Sequence, residues 1–209
     1  MQVLIVARTN MTDRVCVGAV DRSGRSCRLL VADGENQPQD CPYQIGDIWT
    51  VRTKEPNKIT PPHVEDVIVE PQRREGTCND LPSTLHRMRD KGLITTWWQG
   101  EIANVFDGHT RSTQTNFSRY VSHTSGLPNC SVGFWEPHEA LHLETTDDRP
   151  SYRFETPGEF ARLPYTGQEQ PEAVLPRGTL VRLSLSRFWA PPDGGRSACW
   201  VQLSGWYRP

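Results

Sequence analysis

The sequence predicts a mainly β protein: two small barrels joined by one short helix. Three observations predict it. About the first seventy residues hold five short apolar runs punctuated by Gly, Pro, Asn and Asp. One later segment carries helical spacing behind a helix-start signal. The closing stretch, Gly178 to Tyr207, alternates as a hairpin with two different faces. Short, closely spaced strands with turn residues between them are the pattern of a barrel or sandwich.

In the first unit, residues 1–78, residues 2–8 and 14–20 are apolar runs separated by a polar turn. Asp21-Arg22-Ser23-Gly24 makes the next turn, and Ser26–Val31 a third strand. Gly46-Asp47 introduces a fourth over Ile48-Trp49-Thr50-Val51-Arg52-Thr53, and Val64–Val69 supplies a fifth. Five strands in this length suit an OB-like barrel; an SH3-like or PUA-like barrel gives a similar pattern. Residues 79–99 form the linker. Within it, the helix is expected over 81–96, opened by Pro82-Ser83-Thr84, with Leu85, Met88 and Leu93 on one face. Gly92 would weaken or end it. Trp97-Trp98 are expected to wedge between the two units.

The second unit spans residues 100–209. Asp107-Gly108 reads as a turn, and Asn116–Ser122 and Cys130–Trp135 as strands. Residues 144–172 are polar and proline-containing, and read as an insertion between strands. The final hairpin closes the unit. Its outgoing strand alternates Val181, Leu183 and Leu185 with Arg182, Ser184 and Ser186. Its return strand alternates Cys199, Val201 and Leu203 with Trp200, Gln202, Ser204 and Trp206. Side chains on a strand alternate between faces, so the aliphatic set faces a core. The other set can stack a flat ring and hydrogen-bond its edge. Pro191-Pro192-Asp193-Gly194-Gly195 forms the turn. The predicted ligand-binding residues are Arg182, Ser184, Trp200, Gln202 and Trp206 on this face, with Arg187, Trp135 and Arg119 nearby. The plain alternative is that the tryptophans pack beneath another segment.

Composition sets the bounds. With 209 residues, 35% hydrophobic and 23% charged, the chain can bury a core without staples. No apolar run reaches the length of a membrane span, and Met1–Arg8 lacks a signal-peptide pattern; the expected location is the cytoplasm. The six cysteines include no C-x-x-C pair, and Cys16, Cys27 and Cys199 fall in strand patterns as small core residues. Net charge is −2, so nothing global favours nucleic acid. Locally, Glu136–Glu172 holds nine acids and three arginines, whereas Arg177 onward holds five arginines and one acid. The two segments are placed to pair with each other.

One stretch imitates a catalytic motif. His138-Glu139-Ala140-Leu141-His142 matches H-E-x-x-H, which on a helix would place two imidazoles on zinc with Glu139 as general base. Pro137 puts His138 at the very start of any helix, and Pro150 leaves that helix little room. Glu144, Glu155 and Glu159 are only nominal third ligands. Zinc hydrolysis is therefore the minor alternative, and no cofactor is expected.

Several blocks resemble one family: Leu4-Ile5-Val6-Ala7-Arg8, Cys16-Val17-Gly18-Ala19-Val20, Cys27-Arg28-Leu29, Gly46-Asp47-Ile48-Trp49 and Pro61-Pro62-His63-Val64-Glu65-Asp66. Leu127 to Trp135, Leu183 to Trp189 and Trp200 to Tyr207 continue the likeness. The chain resembles the dual OB-containing domain family of prokaryotes. The resemblance implies two OB-like barrels and an accessory or sensor of nucleic acid or nucleotide in an antiphage defence system. It brings no catalytic residues with it. The expected partners are thus a nucleic acid or nucleotide-like ligand and other proteins of a defence complex. The competing expectation is a protein–protein adaptor, because Trp, Tyr and Arg also dominate such interfaces.

Overall fold

The computed structural model describes residues 1–146, 149–190 and 197–208. Six strands come first: β1 (Gln2–Asn10), β2 (Arg14–Asp21), β3 (Ser26–Leu30), the short β4 (Gln37–Pro38), β5 (Asp47–Lys54) and β6 (Asp66–Thr77). β1 pairs with both β2 and β5, β6 with both β5 and β3, and β3 with β2. That closes a five-stranded barrel, with β4 added to the outer end of β2. The five expected strands are all present. β1 is an unbroken apolar run because both its faces are covered. Val3 and Ile5 enter the barrel core with Val15, Val17, Leu29 and Val51. Leu4 and Val6 point outward into a second cluster.

That second cluster is the seam of the molecule. It joins Leu4, Val6 and Val20 to Leu81 and Leu85 of helix α1 (Leu81–Asp90), and to Phe134, Leu180 and Tyr207 of the second unit. The Tyr207 hydroxyl donates to the Val6 carbonyl at 2.6 Å. The helix begins at Asp80, whose side chain accepts from the Ser83 amide at 3.0 Å. It is shorter than expected because Gly92 takes φ 69°. There the Gly92 amide bonds the Arg89 carbonyl (2.7 Å) and the Leu93 amide bonds that of Met88 (2.9 Å). This paired closure needs a left-handed residue after the cap, which glycine supplies at least cost.

The second unit comprises β7 (Trp97–Gly100), β8 (Arg111–Ser112), β9 (Arg119–Val121), β10 (Val132–Pro137), β11 (Leu141–Thr146), β12 (Arg149–Thr156), β13 (Glu159–Pro164), β14 (Val174–Leu175), β15 (Leu180–Leu185) and β16 (Cys199–Tyr207). One open, half-barrel sheet runs β7-β10-β15-β16-β9-β8, and a four-stranded sheet runs β13-β12-β11-β14. The aliphatic face of the closing hairpin and Trp135 meet Tyr152, Phe154 and Leu163 between these sheets.

This corrects two expectations. Residues 144–172 lie between the paired strands β10 and β15, as read, but Arg149–Thr156 and Glu159–Pro164 are strands, and Tyr152, Phe154, Ala161 and Leu163 form the other wall of the core. The H-E-x-x-H stretch is not helical. His138 follows the end of β10, and His142 lies exposed on β11. The two imidazoles therefore do not share a helical turn, and among the described residues no His, Cys, Asp and Glu group is placed to hold a metal. Trp97 reaches the seam as expected, but Trp98 belongs to the second core. Cys27 and Cys199 are buried, whereas Cys16 is only half-buried.

Charge as well as apolar surface crosses the seam. Arg28 of β3 lies 3.2 Å from Asp66 and donates to Ser131 Oγ at 3.1 Å. The Ser131 amide and hydroxyl both donate to Glu65, at 2.6 and 2.7 Å. Arg187, from beyond β15, donates to Asp66 at 2.6 Å. Arg28, Glu65, Asp66 and Ser131 are all buried. Burying charges without partners is costly, and Asp66 is paired with both Arg28 and Arg187, so this network favours the way the two units meet.

A candidate ligand cleft on the closing strand

β16 pairs with β9 only through Cys199 and Trp200, opposite Val121 and Tyr120. Further along the same edge its next neighbour is Tyr165, which bridges Leu203. Between these points no strand pairs with Val201 and Gln202 on that side among the described residues, and a cleft of about 530 Å³ lies there. This lies within the range of about 300–1,000 Å³ usual for small-ligand sites. Trp189, Trp200 and Tyr165 supply aromatic rings; Arg149 and Arg162 supply cations; Gln202, Asn116 and Ser118 supply polar groups.

These side chains are held by their surroundings. The Trp200 ring leans on Tyr120 at 5.6 Å between centroids, and the Trp200 amide donates to Ser186 Oγ at 2.8 Å. Its indole Nε1 is buried without a hydrogen-bond partner among the described residues. The Tyr165 hydroxyl donates to the Glu169 carbonyl at 2.9 Å, which fixes that ring. Arg162 is tied to Glu144 at 2.9 Å. Trp189 remains 51% exposed. A rigid ring beside an exposed one, with donors at the rim, can take a flat heterocycle by stacking and by hydrogen bonds to its edge.

The structure brings Trp200 and Gln202 together in this cleft. Ser184 sits directly opposite Gln202 on β15 but does not line the cleft. The other predicted site residues go elsewhere. Trp206 is on the wrong face: Ser204 is an extra residue between the Leu183–Leu203 and Arg182–Gly205 pairs. This bulge turns the strand over, so Trp206 faces Val181 and packs on the core. Arg182 does lie on the outer face, but that face is covered by the first barrel. It is 3% exposed and donates to Ser204 Oγ at 2.8 Å. It fits because β2 carries Gly18, where a Cβ would stand 2.6 Å from its Nη2.

Trp135 is fully buried, donating to the Gly100 carbonyl at 3.0 Å and meeting Phe154 edge-to-face. Arg119 is buried as well, bonded to Thr110 Oγ1 at 2.9 Å and 3.8 Å from Glu159. Arg187 is committed to Asp66 at the seam. The turn 191–195 lies outside the described residues. Sequence reasoning overlooked Tyr165, Arg149 and Arg162 because they belong to the segment read as an insertion. Trp189 entered there only as the end of the block Leu183 to Trp189.

The sequence model of the dual OB-containing domain matches residues 1–206. No curated protein matches the chain. Among solved structures, it is similar to a murine DNA-binding protein bound with double-stranded DNA, at 8% identity and a TM-score of 0.28, over 100% of this chain and 97% of that one. So loose a superposition carries no argument about ligand. The family match spans nearly the whole chain and accords with the closed barrel and half-barrel described above, so this chain belongs to the dual OB-containing domain family.

Proposed function

We propose that this protein is a non-catalytic binding module that recognises nucleic acid or a nucleotide-like ligand by ring stacking in the Trp200 cleft. The observation that carries the reading is the Trp200 indole itself. It is braced by Tyr120 and borders an open cleft beside Trp189. The family resemblance supports a setting as a cytoplasmic accessory or sensor in a prokaryotic defence system. The second reading is an adaptor subunit of such a system; the tying of Arg162 to Glu144 favours it, since that pair leaves less positive charge for phosphate.

Base–aromatic stacking contributes about 1–3 kcal/mol per base. Trp200→Ala should therefore weaken binding of a single-stranded oligonucleotide roughly five- to a hundredfold, with thermal stability little changed. Fluorescence anisotropy at fixed salt measures this. Trp206→Ala should instead lower stability, since that ring packs on the core. A folded Trp200→Ala variant that binds like the parent would remove the cleft from consideration. A protein partner whose binding requires Trp189 and Trp200, with no oligonucleotide affinity, would establish the adaptor.

A further inference from the structure

The Trp200 cleft does not end at Arg149. A second concavity of about 650 Å³ continues from it toward the first barrel, and the two share Arg149, Tyr165 and Gln202. Its far end is formed by Met11 and Thr12, in the turn between β1 and β2. The crossing is tied by hydrogen bonds between the units. The Asn10 amide donates to the Thr166 carbonyl at 2.9 Å, and the Gln168 amide to that of Arg8 at 3.1 Å. Arg8 Nε donates to Gln168 Oε1 at 2.7 Å, and Gln168 Nε2 to Asn10 Oδ1 at 3.1 Å. Hydrogen bonds thus tie the two units together beside the groove.

From this continuity we infer that the occupant is a single-stranded polynucleotide lying across both units, rather than a mononucleotide confined to the cleft. The inference rests on the proposed function and deepens it. The first concavity alone is large enough for one nucleotide, so a second arm extending from the same edge would go unused by a mononucleotide. A duplex keeps its bases paired and cannot offer them to Trp200 and Trp189, whereas a single strand presents each base face in turn. The charge along the groove agrees with stacking as the main source of affinity. Arg149 stands at the shared centre, Arg162 is tied to Glu144, and Glu169 lies in the second arm. With one or two phosphates contacted, the slope of log K against log salt should be only about −0.7 to −1.4.

The test is a length series of oligothymidylates, from one nucleotide to about twelve, bound to the parent, Trp200→Ala and Met11→Glu proteins. Met11 is 44% exposed, so its replacement leaves the fold intact. Affinity should rise at least about tenfold with length and level off near four to eight nucleotides. Met11→Glu should weaken the long oligonucleotides about fivefold and leave the mononucleotide unchanged, while Trp200→Ala weakens both. If the mononucleotide binds as tightly as the longest strand and Met11→Glu changes nothing, the extended path is wrong and the nucleotide reading stands. Tighter binding of a matched duplex would also overturn the extended path. If no length responds to Trp200→Ala, the nucleotide reading itself fails.

Discussion

Replacing Arg28 with methionine is expected to destabilise the protein by about 3–5 kcal/mol, the scale for removing one partner of a buried ion pair. Arg28 lies within the seam, 3.2 Å from Asp66 and 3.1 Å from Ser131 Oγ. Ser131 also holds the Glu65 carboxylate through two hydrogen bonds. Without the guanidinium, Asp66 keeps Arg187 as its partner among the described residues, and Ser131 Oγ loses the Arg28 donor. Methionine fills the volume but cannot donate. Chemical denaturation measures the loss. Arg187→Met supplies the internal comparison, because its side chain is half exposed. A smaller loss there follows from solvent screening of the remaining charge. Equal and small losses in both variants would show that the seam is held by its apolar cluster alone.

The second large effect concerns acid. His63 is 1% exposed in the same network. Its Nδ1 faces Arg28 Nη2 at 3.1 Å and must accept, because arginine only donates; Nε2 therefore carries the proton. Burial, and then the charges of Arg28 and Arg187, lower its pKa to about 3. A backbone hydrogen bond with Ser186 raises it, but by less. A folded-state pKa below the unfolded value of about 6.5 means that the unfolded chain binds the extra proton first. The stability due to neutral His63 is thus complete above about pH 6.5 and is lost progressively as pH falls toward 3. For one proton the slope is about 1.4 kcal/mol per pH unit. His63→Gln keeps an acceptor for Arg28 and should flatten that slope between about pH 6.5 and 5, above the range where carboxylates titrate. Denaturation curves across this interval read it directly, and an unchanged slope would show that His63 is free to protonate.

Much of the fold was legible because its strands are short, apolar and bounded by turn residues. The first barrel follows the runs from Val3, Val15, Cys27, Ile48 and Val67, and the hairpin core follows the alternation of Val181, Leu183, Leu185, Val201 and Leu203. Three features were hidden for physical reasons. A bulge adds one residue without any local change in composition, so Ser204 gave no warning that Trp206 would turn inward. An outer sheet face looks the same in sequence whether it meets water or another barrel; Arg182 faces the second of these, over Gly18. Finally, Tyr152, Phe154, Ala161 and Leu163 alternate as strand residues but are diluted by charges and prolines, so their segment read as an insertion. That segment supplies Arg149, Arg162 and Tyr165, which is why only the Trp200 and Gln202 side of the cleft was anticipated.

We propose above that bases lie against the Trp200 edge of β16. The most direct measurement is photocrosslinking of a thiothymidine-containing single strand to the folded protein, with attachment sites mapped by peptide mass spectrometry. Attachment is expected at Trp200, Trp189 or Tyr165, and should be lost when unlabelled oligonucleotide competes. Attachment confined to other surfaces, such as the exposed arginines of β6, or none above that seen with denatured protein, would contradict it.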